Sequence, residues 1–212
     1  MISSHERRLV RESEWLRVFQ VGDEEAYVYE SKFLVDDLEV SLSTVKEKWP
    51  GLSLDEKVEF SLAFSCHEPS KGEDQRILEF LMEVGPEEVW KTIAIVVPFH
   101  PRADVAVKFL LERIKETRGS RANYFQGIEL LRREESIRVL RKYYDEYGKV
   151  VTGEMNGRDE VIQWMDYLQC AKTLWTLTQE PMFLSALRDG QAKTPEGLRS
   201  YAKNLLRKTE NP

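Results

Sequence analysis

Residues 121–147 read RANYFQGIELLRREESIRVLRKYYDEY, and the periodicity of this stretch decides the fold class. Tyr124, Ile128 and Leu131 fall on one helical face, while Ile137, Leu140 and Tyr144 fall on one face of a second helix. Between them Arg132, Arg133, Glu134 and Glu135 leave room only for a tight antiparallel return, so the stretch is a helical hairpin. A lone hairpin cannot bury both its faces. It requires neighbours of its own kind.

Those neighbours form a ladder. Leu78-Glu79-Phe80-Leu81, Val107-Lys108-Phe109-Leu110, Ile137-Arg138-Val139-Leu140 and Leu184-Ser185-Ala186-Leu187 share the order apolar, mostly polar, apolar, Leu. Leu81 to Leu110 is 29 positions and Leu110 to Leu140 is 30, a helix-pair period; the 47 positions from Leu140 to Leu187 imply an insertion. The first helices echo one another too, Tyr124-Phe125-Gln126-Gly127 matching Tyr167-Leu168-Gln169-Cys170 in an aromatic, an apolar residue, a Gln and a small residue. On these residues, over roughly positions 54–207, the chain resembles the HEAT-repeat family, especially the short bacterial PBS-lyase HEAT-like repeats. The resemblance implies an all-α fold, a right-handed α-solenoid of stacked antiparallel helix pairs, and specifies architecture far better than activity.

From this centre the chain reads as one elongated domain over 1–212. Residues 1–50 are expected to form N-terminal capping helices. The first opens at the capping-box spacing of Ser3 and Glu6 and runs to Gln20 over Leu9, Leu16 and Phe19; the second starts at Asp23 and keeps helical spacing through Tyr27, Leu34, Leu38, Leu42, Val45 and Trp49. About four helix pairs fill 51–190. Ser53 with Glu56 opens the first of these, Ile77 to Val84 returns, and Pro86 sits at the first position of the next helix. The β-branched run Ile93–Val97 suggests a strand, but its flanks repeat the helix-pair layout and a helix to Pro98 is expected. Pro98 to Pro101 makes a turn, and Val105–Glu116 is the return. The insertion falls near 148–159, in GKVVTGEMNGRD, followed by helices over 160–178 and 181–188. A C-terminal capping helix with Leu198, Tyr201 and Leu205 occupies 191–212.

Composition places the chain among ordinary proteins able to bury a core, with 42% hydrophobic residues in 212. No secretory h-region and no apolar run of membrane-spanning length is present, so a cytoplasmic location without membrane attachment is expected. Cys66 and Cys170 sit 104 positions apart inside helical patterns and read as buried free thiols. The net charge of −6 is unevenly spread: residues 1–90 carry 10 Lys+Arg against 21 Asp+Glu, and residues 101–149 carry 12 against 8. Either the two signs are solvated faces, or they form an electrostatic partner-binding surface.

Motifs for chemistry are sparse. GxGxxG, a Walker lysine loop, GxSxG and CxxC are all missing, which removes the usual cofactor and nucleophile signatures, and no cofactor is expected. Cys66-His67-Glu68 is a single cluster with no second ligand group, so no metal is expected; the four His-Glu dipeptides of HEAT-type di-iron hydroxylases are matched here by only two, His5-Glu6 and His67-Glu68. A HEAT-like DNA-lesion glycosylase is the main enzyme alternative, with Asp166 near Trp164 as its candidate pair, and a bilin-lyase-like role is another. Five tryptophans at helical spacing read first as core, and the acidic first 90 residues argue against nucleic acid. No catalytic residue is assigned.

In such arrays second helices line the concave face. By that resemblance Glu79, Glu83, Lys108, Glu112, Arg138, Arg141, Lys142 and Arg188, with Asp189 beside it, are the candidate binding residues, passing from acidic to basic along the surface. The leading expectation is a non-catalytic scaffold or adaptor holding a protein or peptide.

Overall fold

The computed structural model describes residues 7–21, 27–35, 40–66, 69, 72–151, 158–194 and 196–210. The chain divides into two compact units, Met1–Pro101 and Arg102–Pro212. Most described residues are helical, and the exception lies at the start. Strands β1 (Arg7–Glu12), β2 (Leu16–Val21) and β3 (Tyr27–Ser31) form an antiparallel meander in the order β1-β2-β3.

The N-terminal capping helices expected over 1–50 are thereby corrected. Leu9, Leu16 and Phe19 fit a helix by spacing, but Ser13 breaks it: its hydroxyl oxygen accepts from the amides of Trp15 (3.3 Å) and Leu16 (3.1 Å), closing a tight turn. Beyond the turn Leu16 and Val18 are buried while Arg17 and Phe19 are only partly covered, a period of two. Leu9 pairs with Phe19 and Arg11 with Val18, so Val10 is an extra residue that bulges the edge strand. The long second helix is likewise replaced by β3, the single turn α1 (Lys32–Val35) and α2 (Leu42–Lys48), because β2 needs a partner on its other edge and Ser41 caps a new helix by accepting from the Thr44 amide at 3.2 Å. Ser3, Glu6, Asp23 and Leu38 lie outside the described residues.

A 3₁₀ turn at Trp49–Gly51 leads to α3 (Leu54–Ser65), where Ser53 and Glu56 form the expected capping box. Next come α4 (Glu73–Val84) and α5 (Glu87–Ile93). The helix expected to reach Pro98 stops at Ile93 and gives way to a turn and a 3₁₀ segment at Val97–Phe99, with Pro98 in its first turn; no strand forms there. In this unit α3 packs between the sheet and α5. Its Phe60 ring meets Trp15 at 5.4 Å, Phe33 at 5.6 Å and Trp49 at 6.2 Å, all edge-on, an arrangement aromatic quadrupoles favour.

The second unit is helical throughout its described residues: α6 (Ala103–Glu116), α7 (Ala122–Leu131), α8 (Glu134–Val150), α9 (Arg158–Thr178), α10 (Pro181–Lys193) and α11 (Glu196–Glu210). The tight hairpin expected of α7 and α8 is corrected: the two meet through Phe125 and Tyr143, with ring centroids 6.0 Å apart, but each packs chiefly on α9 rather than on the other. Helices α7, α8, α10 and α11 all pack on α9. The two ends of the expected insertion are helical, since α8 continues to Val150 and α9 starts at Arg158; residues 152–157 lie outside the described residues. Leu81, Leu110, Leu140 and Leu187, the recurring leucines of the ladder, are fully buried.

Candidate functional site

The eight charged candidates fall on four helices. Glu79 and Glu83 stand on α4 of the first unit; Lys108 and Glu112 on α6, Arg138, Arg141 and Lys142 on α8 and Arg188 on α10 belong to the second. Glu79, Glu83, Lys108, Arg138, Lys142, Arg188 and the neighbouring Asp189 are exposed, and Glu112 is half-buried. Several already have local partners. Glu79 Oε1 lies 3.3 Å from Nε2 of the buried His100, Lys108 and Glu112 face each other at 4.0 Å, and Lys142 reaches Glu146 at 3.7 Å. Arg141 differs from expectation, which put it in solvent. It is half-buried, ion-paired with Glu180 at the start of α10, and its guanidinium sits 5.5 Å from the Phe183 ring centre.

The second unit also carries a groove that the sequence reading passed over. Arg132, Arg133, Glu134 and Ile137, from the α7–α8 return, face Thr176 and Leu177 of the last turn of α9 across a cavity of about 440 Å³. Helix α7 ends on Arg132 in the left-handed region (φ 50°), a conformation usually taken by Gly or Asn, with the Arg132 amide donating to the Ile128 carbonyl at 3.2 Å. This turn throws both arginines outward. The pair Arg132-Arg133 was visible in the sequence, but as turn filler, and nothing local places the end of α9 opposite it.

In the first unit a smaller apolar cavity of about 140 Å³ is lined by Trp15, Val45, Trp49, Leu52 and Phe60, with the Lys48–Glu14 ion pair (2.6 Å) among its lining residues. Two of the five tryptophans are therefore bound up with this aromatic core. Trp164 is buried among Leu168, Leu187 and Leu198.

Asp166 is enclosed in the second unit and accepts three hydrogen bonds, from Ser120 Oγ (2.7 Å), the Arg121 amide (2.8 Å) and Tyr147 Oη (3.1 Å). The Arg121 guanidinium donates to Tyr147 Oη and to the carbonyls of Ile114 and Thr117, so one network pins the α6–α7 connection to α8 and α9. Burial raises the Asp166 carboxyl above its ordinary value; the Ser120, Arg121 and Tyr147 donors and the nearby Arg121 charge pull the other way and are outweighed. Tyr147 is also pushed up, first by burial and then by the Asp166 charge. Neither cysteine is an activated thiol. Cys170 is buried as expected whereas Cys66 is exposed at the end of α3; desolvation raises both thiols, and each donates to a carbonyl at 3.2 Å, Cys66 to Leu62 and Cys170 to Leu140.

Among the described residues no three His, Cys, Asp or Glu side chains gather as a metal site, and no helix is long and apolar enough to cross a membrane. His5, His67 and Glu68 lie outside the described residues. No family model, no curated protein and no solved structure matches this chain.

Proposed function

We propose that the protein is a non-catalytic scaffold or adaptor that holds a partner protein or peptide on the charged faces of HEAT-like helix pairs, in the cytoplasm. The binding residues in this reading are Glu79, Glu83, Lys108, Glu112, Arg138, Arg141, Lys142 and Arg188. One observation carries it. Arg132, Arg133 and Arg138 are exposed at the α7–α8 turn and the start of α8, on helices that both pack on α9, and have no anionic partner among the described residues, whereas Arg141 and Lys142 further along α8 are paired. Cations held on a rigid support lose little entropy when a ligand arrives.

The groups that could do chemistry support the same reading, because they are committed to packing. A DNA-lesion glycosylase would need Asp166 and a tryptophan beside it facing the lesion. Asp166 is instead saturated with donors inside the second unit, and Trp164 is core. No observation favours a bilin-lyase role.

The test is capture by the full chain from the native host, with mass spectrometry of what co-elutes, repeated with Arg138→Glu/Lys142→Glu. The adaptor reading expects a protein recovered in near-stoichiometric amount and depleted about tenfold by the double variant at an unchanged melting temperature. A nucleic acid or chromophore recovered in place of protein would overturn it.

A further inference from the structure

We infer that the groove at the α7–α8 return is a docking site for an acidic peptide segment carrying an aliphatic residue between its carboxylates. This deepens the adaptor reading and rests on it. The charges along α8 come first. Its later cations are answered within the fold, Arg141 by Glu180 and Lys142 by Glu146, while Arg132, Arg133 and Arg138 face solvent with no anion among the described residues. Guanidinium groups displayed in pairs suit carboxylates, which they grip with two parallel N–H donors each.

The backbone agrees with this assignment. At Arg132 the backbone is left-handed, a conformation that disfavours residues other than glycine, so an arginine there is a poor choice for the turn alone. The groove also has apolar lining. Ile137 and Leu177 remain partly exposed within it, and its volume of about 440 Å³ lies in the range of ligand-sized pockets, roughly 300–1,000 Å³. An aliphatic side chain seated on Ile137 and Leu177 leaves flanking carboxylates within the reach of the arginine stems.

One anion lines the groove as well. Glu134 stands in the first turn of α8, where unsatisfied amides favour a carboxylate, and it repels any acidic ligand that drifts toward it. The peptide must therefore keep its carboxylates on the arginine side, which makes Glu134 a selectivity element. Duplex or single-stranded nucleic acid fits less well, since phosphates every few ångströms call for a continuous basic track and this groove offers two cations.

The test uses the full chain and a labelled peptide, Glu-Glu-Leu-Glu-Glu, followed by fluorescence anisotropy and by amide chemical-shift mapping. Shifts should centre on Arg132, Arg133, Ile137 and Leu177. Arg132→Asn/Arg133→Ser keeps a residue tolerant of left-handed backbone and offers α8 a capping hydroxyl, so it should weaken binding at least about tenfold while the melting temperature stays the same or rises. Glu134→Gln should tighten it severalfold, and replacing the peptide's Leu by Ser should weaken it. Shifts that map elsewhere, or affinity untouched by the double variant, overturn the proposal, as does an oligothymidine probe that binds the same residues more tightly than the peptide. Natural-partner capture unaffected by Arg132→Asn/Arg133→Ser removes the groove as the adaptor's site while the adaptor reading stands. Peptide bound in the groove with no protein partner recovered does the reverse.

Discussion

Asp166 is the residue with the most to lose. Its site favours the protonated acid, so the folded state binds that proton more tightly than the unfolded chain does. Between the unfolded and the raised folded pKa the native state carries more protons, and stability falls as pH rises through that window. Asp166→Asn removes the titration. Urea midpoints compared across the window should move in favour of the wild type as pH is lowered, and parallel curves would show the carboxyl to be unperturbed. Leu110 and Leu140 carry no such charge, and their weight is packing alone: each is fully buried, so truncation to Ala should cost about 2–5 kcal/mol through lost contacts and the cavity left behind. Arg138→Glu, at an exposed residue with no ion-pair partner among the described residues, should move stability by about 0.5 kcal/mol or less. Arg141→Glu sets a carboxylate against Glu180 and forfeits the contact with Phe183, so a loss nearer 1 kcal/mol is expected from a half-exposed pair. Thermal or urea unfolding of the four variants orders them. The sequence placed the two leucines correctly from the ladder, yet it treated both arginines as solvated because the start of α10 reaches Arg141 only in the folded chain.

At the scale of elements, small residues set how closely backbones approach. A Cβ added at Gly85 would lie 2.5 Å from the Leu81 carbonyl oxygen and 2.8 Å from a Val89 methyl, so the α4–α5 connection has no room for one. At Gly190 the added carbon would run into the Leu168 side chain, which can yield by changing rotamer. Gly85→Ala should therefore destabilise more than Gly190→Ala, the latter costing about 1–3 kcal/mol as an overpacked core does. Equal losses in unfolding free energy would sink this ranking. The elements themselves were unevenly legible. Ser53 with Glu56, and Pro86 beside α5, announce helix starts through contacts of three or four residues; the capping box fell where expected, and Pro86 is the N-cap of α5 rather than its first helical residue. The N-terminal segment misled, because Leu9, Leu16 and Phe19 keep a helical spacing, while the alternation that marks β2 lies in Leu16 and Val18 against Arg17 and Phe19. What separated the two was the Ser13 turn and the pairing of β2 with both neighbours.

For the whole molecule the consequence is two compact units, each with its own apolar core. The second draws on Trp164, Leu168, Leu187, Leu198 and Leu205, contributed by α9, α10 and α11, and its Asp166 network closes within residues 114–166. A fragment spanning 102–212 should accordingly keep a helical circular-dichroism spectrum and a single cooperative melt; a non-cooperative transition would show that its core is insufficient alone. The acidic first half and basic middle remain as read from composition, and so do the predominance of helix, the buried leucine ladder and the capping box. Those features are local: periodicity, caps and charge depend on residues a few positions apart, and no distant partner is needed to express them. The N-terminal sheet, the ion pair of Arg141, the enclosure of Asp166 and the groove beside Arg132 and Arg133 were decided by tertiary structure, because each depends on residues 5 to 46 positions apart being brought side by side.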